Sequence, residues 1–182
     1  MTIGIDISQA VYEGTGVGRY VFELTAALLK KDTTNTYILF GSSWGQRKKL
    51  EDIASELRGN RTNVSVKIFP FPPRILDIVW NILHIIPIQW LIGNVDVFWS
   101  SDWTQPPVGK AFGITTIHDV SFLRYPESFD RKIITVHNRR LRRVQKECDK
   151  IFADSLATKD DIIARLHIPN EKITVIYPGF TT

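Results

Sequence analysis

The chain has 182 residues, a formal charge of +4, 43% apolar residues and a single cysteine. That length holds one full-sized domain with a substantial core and excludes two ordinary ones. The mild positive charge suits an anionic ligand or an anionic membrane surface and does not call for nucleic acid; the lone Cys148 excludes an internal disulfide and points to a reducing cytosol.

The first element expected is a buried strand over 2–8, TIGIDIS, apolar and β-branched. Met1 leads straight into it with no cationic, apolar leader, so the sequons at Asn60 and Asn63 are expected to carry no glycan. Next comes EGTGVGRYVFELTAALLKK, with glycines at 14, 16 and 18 directly ahead of an amphipathic run. Val17, Tyr20, Val21, Leu24 and Leu28 recur at helical spacing and predict a helix over 17–31. Glycines at a helix start let a ligand approach free N–H groups, which attract anions. A tight strand-to-helix turn with no ligand explains them equally well.

TYILFGSS (36–43) reads as a second strand, 46–58 as a charged amphipathic helix ending near Gly59, and NVSVKIFPF (63–71) as a third strand. The stretch 74–93 is apolar apart from one narrow stripe of Arg74, Asp77, Asn81 and His84, and Pro87 breaks it. That pattern predicts a buried helix first and an interface second, and argues against a membrane span. VDVFWSSD and FGITTIHDV follow as two more strands, then a long helix over 129–147. KIFADS is a strand, 156–166 a short helix, and KITVIYPG a last strand. Strands alternating with helices, several apolar enough to be covered on both faces, predict an α/β, Rossmann-like doubly wound domain with a parallel sheet.

In such a sheet ligands bind at the carboxyl ends of the strands. The candidates there are Gly14, Gly16, Gly18 and Arg19 after the first strand, and Ser100, Ser101, Asp102 and Trp103 after the fourth. His118 and Asp119 follow the fifth, and Asp154 and Ser155 follow the sixth, where a helix N-cap is the expected role. His137 falls in the apolar arc of Ile133, Ile134, Leu141, Val144 and Cys148, as a core histidine does. His84 and His167 have no evident partners, and the four histidines show no metal-ligand spacing. Arg19 replaces the third glycine of a dinucleotide fingerprint and no P-loop lysine follows, which disfavours NAD binding and ATP hydrolysis. Arg131, Lys132, Arg139, Arg142, Arg143 and Lys146 line the far side of the helix over 129–147, a face suited to phosphate or an anionic bilayer.

Taken in order, GTGVGRYVFELTAAL, VDVFWSSDWTQPP, GITTIHDVSFLRYPESF, RRVQKECDKIFADSLATKDDI and IPNEKITVIYPG resemble the amino-terminal domain of the retaining, GT-B-fold glycosyltransferases of the group 1/family 4 type, with mannosyltransferase-like members nearest. The resemblance covers essentially the whole chain. It implies an enzyme that moves a sugar from a nucleotide-sugar donor to a glycan or lipid-linked acceptor, with retention and without a metal or other cofactor. Such an enzyme would serve cell-surface polysaccharide biosynthesis from the cytoplasm, at the inner face of the membrane. Carried over by position, Gly16, Gly18 and Arg19 would face the donor diphosphate. His118 would be the catalytic residue, donating a hydrogen bond near the transferred sugar and acceptor. Asp102 and Trp103 would border the acceptor pocket, with Asp119 holding the loop. The nucleotide and most donor contacts belong in that family to a second, carboxy-terminal domain, expected to lie outside these residues; residues 1–182 are expected to be the acceptor-side half, inactive alone. The rival reading is a non-catalytic Rossmann- or flavodoxin-like module that binds a nucleotide or a phosphorylated ligand.

Overall fold

A computed structural model describes residues 1–179. Seven parallel strands form one sheet: β1 (Thr2–Asp6), β2 (Thr36–Ser42), β3 (Val64–Phe69), β4 (Val97–Ser100), β5 (Phe112–Ile117), β6 (Lys150–Ala153) and β7 (Ile173–Val175). Their order is β3-β2-β1-β4-β5-β6-β7. The helices are α1 (Gly16–Lys31), α2 (Arg47–Arg58), α3 (Pro73–Leu76), α4 (Gln89–Ile92), α5 (Ser121–Arg124), α6 (Arg131–Glu147) and α7 (Leu156–Leu166). The fold is the doubly wound, Rossmann-like α/β architecture expected.

Side chains of successive strand residues point to opposite faces, and β2 shows both faces covered. Tyr37 and Leu39 join a core with Val21 and Leu29 of α1 and Leu50, Ala54 and Leu57 of α2. Phe40 packs instead with Leu76, Trp80, Ile88 and Ile92 and with Phe98 of β4. A third cluster unites Ile117, Ile151, Ala153 and Ile173 with Leu141 and Val144 of α6 and Ile162 of α7.

The chain winds from β1 outward through β2 to β3, then crosses back to β4 and winds the other way to β7. The loops after β1 and β4 therefore diverge, and a crevice opens at their carboxyl ends, the usual ligand position of such sheets.

The stretch 74–93 departs from the buried helix expected. It runs as α3, a single π-helical segment Asp77–Ile82, residues with positive φ at His84 and Ile86, and then α4. Its burial is mixed: Asp77 and Asn81 are buried beside Leu76, Trp80, Ile88 and Ile92, while Ile75, Ile78, Ile82, Leu83, Ile85 and Trp90 are exposed. Asp77 and Asn81 turn inward because α6 supplies partners there, and Arg74 of the same stripe stays exposed. Asp77 pairs with Arg139 at 3.1 Å, and Arg143 donates to the carbonyls of Asn81 and Ile82. These two arginines consequently do not belong to the open basic face expected of α6. Arg131, Lys132, Arg142 and Lys146 remain exposed on it.

Candidate functional site

The glycine segment is built differently from a phosphate-wrapping turn. Gly14 adopts φ 83°, but Gly16 and Gly18 already lie in the first turn of α1. Thr15 is the N-cap, and its Oγ1 accepts from the Gly18 N–H at 3.1 Å. A Cβ on Gly18 would lie 2.5 Å from the Tyr12 carbonyl oxygen and 3.0 Å from that of Gln9. Close backbone approach is what this glycine permits, and the backbone is the protein's own 3-10 turn Ser8–Val11 with its following residue Tyr12. The contact also rotates α1, so that Gly18, Val21, Thr25 and Leu29 form its buried centre. Gly16 has open space around it and borders a groove of about 340 Å³ with Arg19, Tyr20, Glu23, Leu24 and Tyr177. Gly18→Ala is expected to destabilise the fold by about 1–3 kcal/mol through overpacking against backbone, and Gly16→Ala to leave it within about 0.5 kcal/mol. Urea unfolding curves compare the two; equal stabilities would contradict the packing role of Gly18.

Residues at the ends of β1, β4 and β5 line the crevice beside this groove. Ile5, Asp6, Tyr20, Thr25, Trp99, Ser101, Asp102, Thr116 and His118 surround one small cavity. Tyr20 of α1 sets its ring edge-on to His118, centroids 4.8 Å apart, so the glycine segment and the histidine share one rim. Asp102 pairs with Arg140 at 3.3 Å. Trp103 lies edge-on to His137 at 5.3 Å, and its carbonyl accepts from Asn81. Asp119 accepts from the Ser121 N–H at 2.8 Å and so holds the turn into α5.

Arg140 escaped the sequence reading. Its position in α6 puts a guanidinium among the apolar residues, 1% exposed. It donates to the Ser101 carbonyl, Asp102, Thr115 Oγ1 and the Thr116 carbonyl, tying the β4 loop to the end of β5. Its spacing from Ile133, His137 and Val144 was the available signal: a charge on the core arc of a helix. Asp6 was missed as well. It ends β1 buried, accepts from the Ser8 N–H at 2.9 Å, and burial raises its pKa above the ordinary carboxylate value.

Two histidines and one acid need correction. His137 is half-buried between Trp103 and Phe122 rather than sealed in the core. His84, expected to lack partners, has Nδ1 2.8 Å from the Trp80 carbonyl and Nε2 2.9 Å from Glu147. His167 forms the left-handed C-cap of α7, with φ 52°. Ser155 caps α7 as expected, but Asp154 does not share that role; it pairs with His118 at 2.7 Å. Cys148 is buried, and burial pushes its thiol up to about 12. Among the described residues, no three His, Cys, Asp or Glu side chains gather as a metal-binding group, and no helix is long and apolar enough to cross a membrane.

Burial lowers the His137 pKa, so the folded state holds its ring neutral while the unfolded chain takes a proton near pH 6.5. Its contribution is thus fully present above about pH 6.5 and is lost as pH falls towards the lower folded value. His137→Phe is expected to flatten the fall in unfolding free energy between pH 7.5 and 5.5; parallel profiles for the two proteins would refute this.

The profile of one family, described as Glycosyltransferase Family 4, matches residues 14–182. The chain belongs to Glycosyltransferase Family 4. Among solved structures, this Family 4 domain is similar to a glycosyltransferase from Rickettsia africae ESF-5 at 18% identity and TM-score 0.49, covering 99% of this chain and 43% of that one. It is also similar to a short-chain dehydrogenase from Oenococcus oeni PSU-1 at 12% identity and TM-score 0.40, covering 99% and 80%. No curated protein matches the sequence. The Family 4 domain spans less than half the length of the Rickettsia glycosyltransferase chain.

Proposed function

We propose that these residues form the acceptor-side half of a two-domain, GT-B-fold glycosyltransferase. The enzyme transfers a sugar from a nucleotide-sugar donor to a glycan or lipid-linked acceptor with retention and without a metal, and is mannosyltransferase-like. The observation that carries the reading is the family match over residues 14–182, on a sheet whose switch-point rim gathers Asp102, His118 and the start of α1. In this reading Gly16 and Arg19 meet the donor diphosphate from the mouth of the groove, and Gly18 holds the turn behind them. Asp102 and Trp103 border the acceptor, Asp119 fixes the loop, and His118 touches the reacting groups. The nucleotide is held mainly by a second domain. The setting is cytoplasmic, on cell-surface polysaccharide precursors. Peripheral contact with an anionic membrane is supported by the exposed Arg131, Lys132, Arg142 and Lys146 of α6.

The test compares two polypeptides. The complete enzyme, screened with nucleotide sugars against lipid and oligosaccharide acceptors, is expected to transfer sugar with retained anomeric configuration. Residues 1–182 alone are expected to show no transfer and weak or no nucleotide-sugar binding. Calorimetry giving the isolated domain low-micromolar affinity for a nucleotide sugar would instead favour a self-sufficient binding module.

A further inference from the structure

The outer side of the segment 73–92 is apolar and uncovered. Leu76, Trp80, Ile88 and Ile92 pack inward with Phe40 and Phe98, while Ile75, Ile78 and Ile82 recur about one turn apart on the other side. The chain then turns through positive φ at His84 and Ile86, leaving Leu83 and Ile85 beside them, 56% and 49% exposed. Trp90 of α4 follows at 77% exposed. Single exposed apolar residues are ordinary, whereas a contiguous set rimmed by polar groups marks an interaction surface.

The rim here is cationic. α6 carries no acid between Arg131 and Lys146. Arg139, Arg142, Arg143 and Lys146 line a groove of about 410 Å³ together with Asn81 and Ile82, so the cations adjoin the apolar ridge directly. Arg143 donates to the carbonyls of Asn81 and Ile82, which carry no formal charge to offset its own. Arg74 adds an exposed cation near the start of the ridge. The only carboxylate of the segment is Asp77, buried and paired with Arg139.

Position and charge together select the occupant. His84 meets Glu147, and Gln89 donates to the Val108 carbonyl. Those two partners stand just ahead of β6 and β5, so residues 83–90 lie by the amino-terminal ends of the strands. A second domain seated over the crevice would leave them open. A two-fold contact with a second copy would set the patch against itself and crowd its cations against their counterparts. An anionic lipid surface complements both the apolar ridge and its rim.

We propose that segment 75–90 and α6 form a membrane-docking face, in which Ile82, Leu83, Ile85 and Trp90 enter the interface of an anionic bilayer while Arg142, Arg143 and Lys146 meet lipid phosphate. The inference rests on the reading of this domain as one that contacts an anionic membrane, and it adds insertion to attraction by charge. Interfacial segments bind through buried apolar area together with attraction to anionic lipid. Tryptophan favours the level of the headgroups, with its ring on the apolar side. His84, engaged at both ring nitrogens, braces the turn that presents Leu83 and Ile85, so little ordering is left for binding.

The experiment sediments the complete enzyme with vesicles of phosphatidylcholine alone or mixed with phosphatidylglycerol. Binding is expected to favour the mixed vesicles. Leu83→Ser, Ile85→Ser and Trp90→Ser combined should weaken it about 100-fold, with circular dichroism unchanged because these side chains are exposed. Arg142→Gln with Lys146→Gln should weaken it roughly 20-fold. Lipids brominated on their acyl chains should quench tryptophan emission, and Trp90→Phe should remove most of that quenching while binding persists. Wild-type binding by the triple serine variant overturns the proposal and leaves a purely electrostatic contact standing; so does emission that brominated chains fail to quench. Equal binding to both vesicle types overturns the role of the cations. No binding to either brings down the membrane reading and this proposal with it, and a dimer that the serine variant dissolves would then assign the face to a second copy.

Discussion

Replacing Arg140 by alanine is expected to cost about 3–5 kcal/mol of folding free energy, the range for breaking a buried ion pair from one side. The guanidinium is 1% exposed and makes hydrogen bonds to Ser101, Asp102, Thr115 and Thr116. Burial lowers its pKa and the Asp102 carboxylate acts in the opposite direction; a guanidinium keeps its charge in a protein, so these partners offset the cost of burying it. Alanine would leave the Ser101 and Thr116 carbonyls short of a donor and open a cavity beneath the β4 loop. Lysine is expected to recover little, because a point ammonium cannot span acceptors arranged for a planar fork. Urea denaturation measures the loss; a cost below about 1 kcal/mol would mean that the loops hold their places without Arg140.

His118→Ala in the complete enzyme is expected to lower kcat about ten- to a thousand-fold, the range for removing one oriented proton-transfer or hydrogen-bonding group. An interaction realised only in the transition state lowers kcat and kcat/KM together, whereas a uniform binding contact raises KM alone. The ring lies at the end of β5 against Tyr20 and Asp154, at the rim of the switch-point crevice where sheets of this kind bind their ligands. His137 supplies the control. Its ring packs between Trp103 and Phe122, so its loss should act on stability by roughly 1–3 kcal/mol rather than on turnover. Near-normal turnover in His118→Ala, with circular dichroism unchanged, would reduce the residue to a solvated loop position.

The sheet was legible because each strand announces itself locally. Runs such as TYILF and FGITTI are apolar on both faces, which only a strand covered from both sides requires. The alternation with helices then limited the topology to a parallel, doubly wound sheet. Helix ends were also readable where a side chain caps its own chain, as Ser155 does for α7. In the same way, placing candidates at strand ends grouped His118, Asp102 and the start of α1, which share one rim.

What the sequence by itself determined, then, are those features written within a few residues: strands, helices, caps and the list of rim candidates. Tertiary structure decided which rim residues touch. His118 and Asp154 are 36 positions apart, and only the β5–β6 register makes them neighbours. The inward turn of Asp77 and Asn81 has the same cause. Buried polar groups are satisfied where donors exist. The donors are Arg139 and Arg143 of α6, more than 60 residues downstream of Asp77 and Asn81. Gly18 completes the lesson: its sequence context fits a phosphate or a tight turn equally well. The tertiary structure adds a packing reason for the glycine, the Tyr12 carbonyl that occupies the space a side chain would need. Periodicity is a local property of the chain, whereas hydrogen-bond partnership and steric exclusion depend on which distant segments the fold brings together.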